Sequence, residues 1–308
     1  MTKVLIATDK PFAAVAVAGI RKVVEDAGFE LVLLEKYTQQ ADFVNAVADV
    51  DAVIVRSDLA TKEVIDAGKK LKIIVRAGAG FDNVDLPAAT EKGVVVMNTP
   101  GQNSNAVAEL ALGMMVYIAR NSYNGSSGTE LRGKKLGIHA YGAVGRYVAE
   151  IAKGFGMEIL AFDPFVSKEA MEKDGVKWVE SIQDLYSSCQ YVSVHIPANE
   201  KTKKSINFEV LSMMPKGATL VNTARKEVID EEALMEIFEG RPDFKYVSDI
   251  EPGCKEEIIT KYPGRFFFTP KKSGAQTSEA NINAGIAAAK QIVGFLKNGD
   301  RTFQVNKF

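Results

Sequence analysis

Residues 135–164 read KLGIHAYGAVGRYVAEIAKGFGMEILAFDP, which is a short apolar strand, a turn carrying glycines, an amphipathic helix, a second apolar strand and an aspartate. A chain builds a dinucleotide pocket in that order. The turn from Ala140 through Gly142, Ala143 and Val144 to Gly145 lets backbone N–H groups meet a pyrophosphate at the positive N-terminus of the following helix. Asp163 closes the second strand, 21 residues after Gly142. A carboxylate there accepts hydrogen bonds from ribose hydroxyls and repels a 2′-phosphate, which favours NAD over NADP. The first glycine of the usual G-x-G-x-x-G is Ala140 in this chain. Gly142, where backbone must approach phosphate, and Gly145, where helix and strand pack closely, are kept. The plain alternative is a strand–turn–helix with incidental glycines; the spacing and Asp163 weigh against it.

The same alternation runs through the whole chain. Apolar strand-like runs at 3–8, 30–34, 52–56, 72–76 and 94–98 are separated by segments of helical period, the pattern of a parallel sheet covered on both faces. A long helix over 104–120 and a Gly/Ser-rich loop at 123–133 follow. A second series then begins at 135, with strands at 158–162, 191–195, 219–222, 246–249 and 266–269. At 308 residues, against about 150 per domain, the expectation is α/β with two doubly wound parallel-sheet, Rossmann-like domains and a cleft between them. The final helix at 276–296 and the tail 302–308 are long enough to return to the first domain. The expected division is a discontinuous substrate-binding domain, 1–98 plus 284–308, and an NAD-binding domain, 99–283.

Lys and Arg number 38 against 39 for Asp and Glu, so no net charge attracts nucleic acid or a membrane surface. The most apolar helix, near 106–119, is interrupted by Glu109, which argues against a membrane span. The N-terminus passes directly into a strand without a secretory signal. Cys189 and Cys254 lack metal-ligand spacing and are expected as reduced thiols in a cytoplasmic protein, with no metal. Small molecules and other subunits are the expected partners.

Two further segments carry chemistry. The stretch RAGAGFDNVD at 76–85 follows an apolar strand, and its glycines can present backbone N–H groups to a carboxylate. The plain reading is a strand-to-helix turn. Asn222-Thr223-Ala224-Arg225 ends another strand at the carboxyl edge of an open sheet, where ligands bind. Arg225 there can hold a carboxylate with a bidentate fork and polarise an adjacent carbonyl.

Together with VRS at 55–57, NTPGQNSNAVAE at 98–109, VSVHIP at 192–197 and the glycine turn, these motifs resemble the D-isomer-specific 2-hydroxyacid dehydrogenases over nearly the whole chain. The resemblance implies that Gly78 and Ala79 meet a substrate carboxylate and that Arg225 holds carboxylate and carbonyl. It also implies that Asp249 reaches the nicotinamide carboxamide, and that Ala143, Val144, His195, Ile196, Pro197, Thr223 and Ala224 line the NAD site. Within the family the likeness is greatest to short-form phosphoglycerate dehydrogenases. That implies a phosphorylated 2-hydroxy or 2-keto acid as substrate, with Arg56, Ser57 and Asn103 at the substrate loop, and a homodimer formed through the nucleotide domains. Arg56 reads equally well as a domain-surface charge.

The chain departs from the family where the proton is moved. Its only histidines, His139 and His195, stand outside the position of the family's general acid/base. That position reads Thr269-Pro270-Lys271-Lys272-Ser273-Gly274. Counting back from Gly274-Ala275 selects Lys272, and counting forward from Thr269-Pro270 selects Lys271; the downstream register favours Lys272. An ammonium, with an ordinary pKa of about 10.4, can donate to a carbonyl oxygen at neutral pH. In the oxidation direction the amine must be neutral, which desolvation and neighbouring positive charge favour. Glu251 stands for the family's carboxylate partner on a shortened loop, and Lys226 adds positive charge beside Arg225. The implied reaction is NAD-dependent interconversion of 3-phosphoglycerate and 3-phosphohydroxypyruvate, the first step toward serine. Reduction of glyoxylate or hydroxypyruvate is the alternative, and a catalytically inactive NADH-binding sensor the third possibility.

Overall fold

The computed structural model describes residues 1–308 as two units, Met1–Asn103 with Gln276–Phe308, and Ser104–Ala275. The first unit runs β1 (Lys3–Thr8), α1 (Ala14–Asp26), β2 (Glu30–Glu35), α2 (Gln40–Ala46), β3 (Ala52–Val55), α3 (Lys62–Ala67), β4 (Ile73–Arg76), α4 (Leu86–Glu91) and β5 (Val95–Asn98). The second runs α5 (Ser104–Ala119), β6 (Lys135–His139), α6 (Ala143–Gly154), β7 (Glu158–Phe162), α7 (Lys168–Lys173), β8 (Lys177–Trp178), α8 (Ile182–Ser188) and β9 (Tyr191–Val194). It continues through α9 (Phe208–Ser212), β10 (Thr219–Asn222), α10 (Glu231–Gly240), β11 (Lys245–Ser248), α11 (Lys255–Lys261) and β12 (Phe266–Phe268). The last helix, α12 (Ser278–Asn298), returns to the first unit. The chain therefore crosses between units at 103/104 and 275/276, a few residues from the expected 98/99 and 283/284, because α12 is unbroken and lies wholly on one side.

Every strand pairing in both sheets is parallel, as strands buried on both faces require. In the first unit the order is β2-β1-β3-β4-β5. Side chains alternate between two cores: Leu5, Ala7, Val53, Val55, Ile74 and Val96 pack on one face. Val4, Ile6, Ile54, Ile73, Val75 and Met97 pack on the other, where α12 adds Ala288, Ala289 and Ile292. Close approach of α1 and α12 needs small residues. A Cβ added at Gly19 would stand 2.7 Å from Ile286 Cδ1, and one at Gly285 would stand 2.9 Å from Ile20 Cδ1.

In the second unit the order is β12-β11-β10-β9-β6-β7-β8. The chain leaves β6 in one direction and returns to its other side with β9, so the crevice at their carboxyl ends is the switch point where α/β sheets bind ligands. The short edge strand β8 was not foreseen; its two residues, one exposed and one half-buried, show no apolar run. No helix is long and apolar enough to cross a membrane. Both cysteines are free thiols, and burial pushes each up to about 12, so neither is a thiolate.

The C-terminal tail completes the first sheet. Val305 N–H donates to Val96 O at 2.8 Å. The side chain of Asn306 accepts from Val96 N–H at 2.8 Å and donates to Val94 O at 2.9 Å and Thr90 Oγ1 at 3.1 Å. Asn306→Ala strands a buried donor and a buried acceptor, each costing about 1–3 kcal/mol. Denaturant titration should show a loss of about 2 kcal/mol or more; an unchanged midpoint would contradict this role for the tail.

Candidate active site

The glycine turn divides its work as the spacing anticipates. Gly142 caps α6 in an extended conformation, and a Cβ placed there meets nothing within 4 Å. That open space lies at the N-terminus of a 12-residue helix, where backbone donors and the helix dipole favour a phosphate. Ala143 is exposed and Val144 half-buried in the same turn. At Gly145 a Cβ would come 2.5 Å from Ala140 O and 3.0 Å from Ile138 Cγ2, so close packing of helix on strand excludes any side chain. Ala140 has φ of 80°, a left-handed conformation that costs a residue with a Cβ about 1–2 kcal/mol. The turn is held there by Ala140 N–H donating to Phe162 O at 2.9 Å and Tyr141 N–H donating to Asp163 Oδ2 at 2.8 Å. Asp163 Oδ1 accepts from Phe165 N–H at 2.8 Å. Asp163 thus clamps the turn.

On the other side of the switch point, His195 lies between two hydroxyls. Its Nε2 is 2.9 Å from Ser193 Oγ, and its Nδ1 is 3.2 Å from Thr223 Oγ1. Burial lowers its pKa to about 3, and burial lowers that of His139 to about 4. Both imidazoles are neutral, and His195 braces Thr223 across the ends of β9 and β10. Ile196 is buried and Pro197 exposed, its carbonyl accepting from Thr202 Oγ1 at 2.5 Å.

The turn after β10 gathers the charged groups. Asn222 accepts from Ala224 N–H at 3.0 Å and donates to Arg225 O at 2.9 Å, folding the backbone back on itself. The Ala224 carbonyl then accepts from Arg225 Nη1 at 2.9 Å and from Lys272 Nζ at 2.8 Å. A guanidinium and an ammonium therefore share one oxygen. Lys271 is exposed, and its carbonyl accepts from Ser273 Oγ; its amine joins neither Arg225 nor Ala224. The lysine turn is fixed by Asp249, whose carboxylate accepts from Thr269 Oγ1 at 2.9 Å, Ser273 N–H at 2.7 Å and Gly274 N–H at 2.7 Å. Asp249, implied by the resemblance to reach the nicotinamide, is 1% exposed and bonded to the lysine segment. Glu251 accepts from Lys255 Nζ at 2.7 Å, one helical turn on.

In the first unit, Gly78 has φ of 149°, and a Cβ there would overlap Arg76 Nη1 at 1.6 Å. The Arg76 guanidinium lies against this glycine while its Nε donates to Arg56 O at 3.0 Å. Gly78 O accepts from Thr99 N–H and Ala79 O from Asn98 Nδ2, which pins the loop. Arg56, expected to reach a phosphate, is tied within the unit. Its guanidinium donates to Lys10 O at 2.9 Å and Asn281 Oδ1 at 2.7 Å, and it sits 5.1 Å from the centre of the Phe12 ring. Ser57 is exposed beside a cavity of about 470 Å³ that it shares with Tyr37 and Asp58. Asn103 is half-buried in the turn before α5. Sequence reasoning missed Asn222, Arg76, Ser193 and Asp58; all but Asp58 stood inside motifs already singled out.

The family model described as D-isomer specific 2-hydroxyacid dehydrogenase, NAD binding domain, matches residues 105–263. D-3-phosphoglycerate dehydrogenase of Methanocaldococcus jannaschii is 37% identical over 88% of this chain and 54% of its own length. Hydroxypyruvate reductase of Thermotoga maritima is 36% identical over 85% of this chain and 90% of its own. The chain thus spans about half the length of the phosphoglycerate dehydrogenases it first matches. The crystal structure of NAD⁺-bound 3-phosphoglycerate dehydrogenase from Entamoeba histolytica superposes with a TM-score of 0.86 at 48% identity, covering 100% of this chain and 99% of that one.

The two glycines should separate in the laboratory. Gly142→Ala should unfold like the parent yet bind NADH more weakly, whereas Gly145→Ala should lose about 1–3 kcal/mol of stability by overpacking. Calorimetry with NADH titration distinguishes them, and equal stability loss in both would contradict the division. The histidines make a second expectation. Unfolded, they protonate near pH 6.5; folded, they resist it to about 4 and 3. Below pH 6.5 the unfolded chain binds more protons, so stability should fall as the pH drops through that window. The double variant His139→Asn/His195→Asn should flatten the slope in denaturant titrations between pH 6.5 and 5; an unchanged slope would be inconsistent with buried neutral imidazoles.

Proposed function

Because the chain belongs to the D-isomer-specific 2-hydroxyacid dehydrogenase family, we propose that it interconverts 3-phosphoglycerate and 3-phosphohydroxypyruvate with NAD, and that Lys272 moves the proton. The observation that carries this reading is the Ala224 carbonyl, on which the Lys272 ammonium and the Arg225 guanidinium converge. A 2-keto acid needs a cation on its carboxylate and a proton donor at its C2 oxygen, and these two side chains supply that pair at one place. NAD supplies the hydride acceptor when bound, and the Gly142 turn, Asp163, Ile196, Pro197 and Thr223 are the residues to hold it.

In reduction, the Lys272 ammonium gives its proton to the C2 oxygen while Arg225 orients the carboxylate. In oxidation, the same amine takes the proton back, and the adjacent guanidinium favours its neutral form. The Ala79 N–H makes no intramolecular hydrogen bond, which suits it to accept a substrate oxygen as its partner. Phosphoglycerate dehydrogenases among the relatives support the substrate.

A second reading, an unphosphorylated substrate such as hydroxypyruvate, is favoured by the internal ties of Arg56 and by the hydroxypyruvate reductase relative. Comparing KM for phosphohydroxypyruvate and hydroxypyruvate in the parent and in Arg56→Ala decides between them. An unchanged phosphohydroxypyruvate KM removes Arg56 from the phosphate. For the proton, Lys272→Ala should lower kcat about a hundredfold or more with NADH affinity unchanged, while Lys271→Ala stays near the parent. Full turnover in Lys272→Ala would refute the assignment.

A further inference from the structure

Arg225 and Lys272 reach one oxygen from beyond the ends of two different strands, and one buried side chain braces both ends. Tyr246 stands on β11, between β10, which leads to Arg225, and β12, which leads to Lys272. It is 1% exposed. Its ring meets Phe268 of β12 edge-on with centroids 5.7 Å apart, and Phe268 is stacked on Phe266 at 5.2 Å. Its hydroxyl accepts from Asn222 Nδ2 at 3.3 Å. The other hydrogen of that amide goes to Arg225 O at 2.9 Å, and the amide oxygen accepts from Ala224 N–H at 3.0 Å. Asn222 is fully buried, so no water stands ready to replace a partner that is removed. Burial pushes the Tyr246 hydroxyl up to about 12, which keeps it protonated at neutral pH. It holds a position and does not exchange protons.

We infer that Tyr246 is a positioning residue for the proton step, setting where Ala224 O and Arg225 stand relative to Lys272; the role rests on the reading of Lys272 as the proton carrier. The ring end is anchored to the strand that runs into the lysine turn. The hydroxyl end fixes the plane of the Asn222 amide, and that amide folds the Ala224–Arg225 backbone. Removing the oxygen leaves one buried N–H of Asn222 unpaired, a penalty that turning the amide relieves. Ala224 O and Arg225 then shift against Lys272 while the ring packing stays.

The test is a double-mutant cycle read in kcat for keto-acid reduction by NADH. Tyr246→Phe keeps the phenyl ring and should lower kcat about tenfold or more, since a misplacement of about 1 Å at reacting groups can cost about a hundredfold. Its NADH affinity should stay that of the parent. In Lys272→Ala no ammonium is left to misplace, so adding Tyr246→Phe should lower kcat little further. A purely structural role would instead give the same factor in both backgrounds, to within about twofold. Ser248→Ala controls for the loss of a buried hydrogen bond: its Oγ donates to Asn222 O at 3.1 Å, and that oxygen keeps the Asp249 amide as a donor. Its kcat should stay near that of the parent. Unchanged kcat in Tyr246→Phe overturns the positioning role, as does an equal loss in the two backgrounds or in Ser248→Ala. Full turnover in Lys272→Ala would instead fail the proton-carrier reading, and the positioning role falls with it.

Discussion

A carboxylate cannot be buried without donors, and Asp249 is almost completely removed from water. Leaving such a charge uncompensated costs several kcal/mol, so the chain around it is obliged to deliver hydrogen bonds. Thr269 Oγ1 and the amides of Ser273 and Gly274 do so, and the Asp249 amide itself donates to Asn222 O. The consequence reaches the chemistry. The backbone after β12 must turn between Thr269 and Gly274, and Lys272 is the residue whose amine then reaches Ala224 O. Gly274 has to be glycine for this, since a Cβ there would stand 2.8 Å from Asp249 Oδ2 and 3.1 Å from Val107 Cγ2.

The nucleotide side of the same sheet follows a parallel logic with a different conformational cost. Ala140 replaces the glycine that would take a left-handed conformation without strain, and the backbone adopts it regardless. Hydrogen bonds from Ala140 and Tyr141 to the end of β7 over-determine the turn, which is how such strain persists. Asp163 clamps the glycine turn, as Asn222 is at once the folding staple of the β10 turn and the reason Ala224 O points where two cations can share it.

The features set by near neighbours in sequence were legible from it. Apolar runs gave the parallel strands, because residues buried on both faces leave no polar alternation. The spacing of the glycine turn made the close packing at Gly145 legible, because strand and helix geometry is local. The lysine register was only half legible, because counting from either flank gives a different residue and only the downstream count selects Lys272. What selects Lys272 is a carboxylate more than twenty positions upstream that binds the amides of Ser273 and Gly274. Arg56 stood open between a substrate-loop residue and a domain-surface charge for a similar reason: one of its partners, Asn281, lies 225 residues away. The Glu251–Lys255 pair stood at i,i+4 in the sequence, but the resemblance to a longer family loop drew attention toward the catalytic turn instead.

The central claim is that the Lys272 amine is the group that titrates in the proton-transfer step. The pH dependence of kcat/KM for oxidation of 3-phosphoglycerate, compared between the parent and Lys272→His, tests it most directly. If the amine takes the proton, the acidic limb should move down toward the imidazole range near 6.5 in the variant, with NADH affinity unchanged. An active Lys272→His enzyme whose limb coincides with that of the parent would contradict the account.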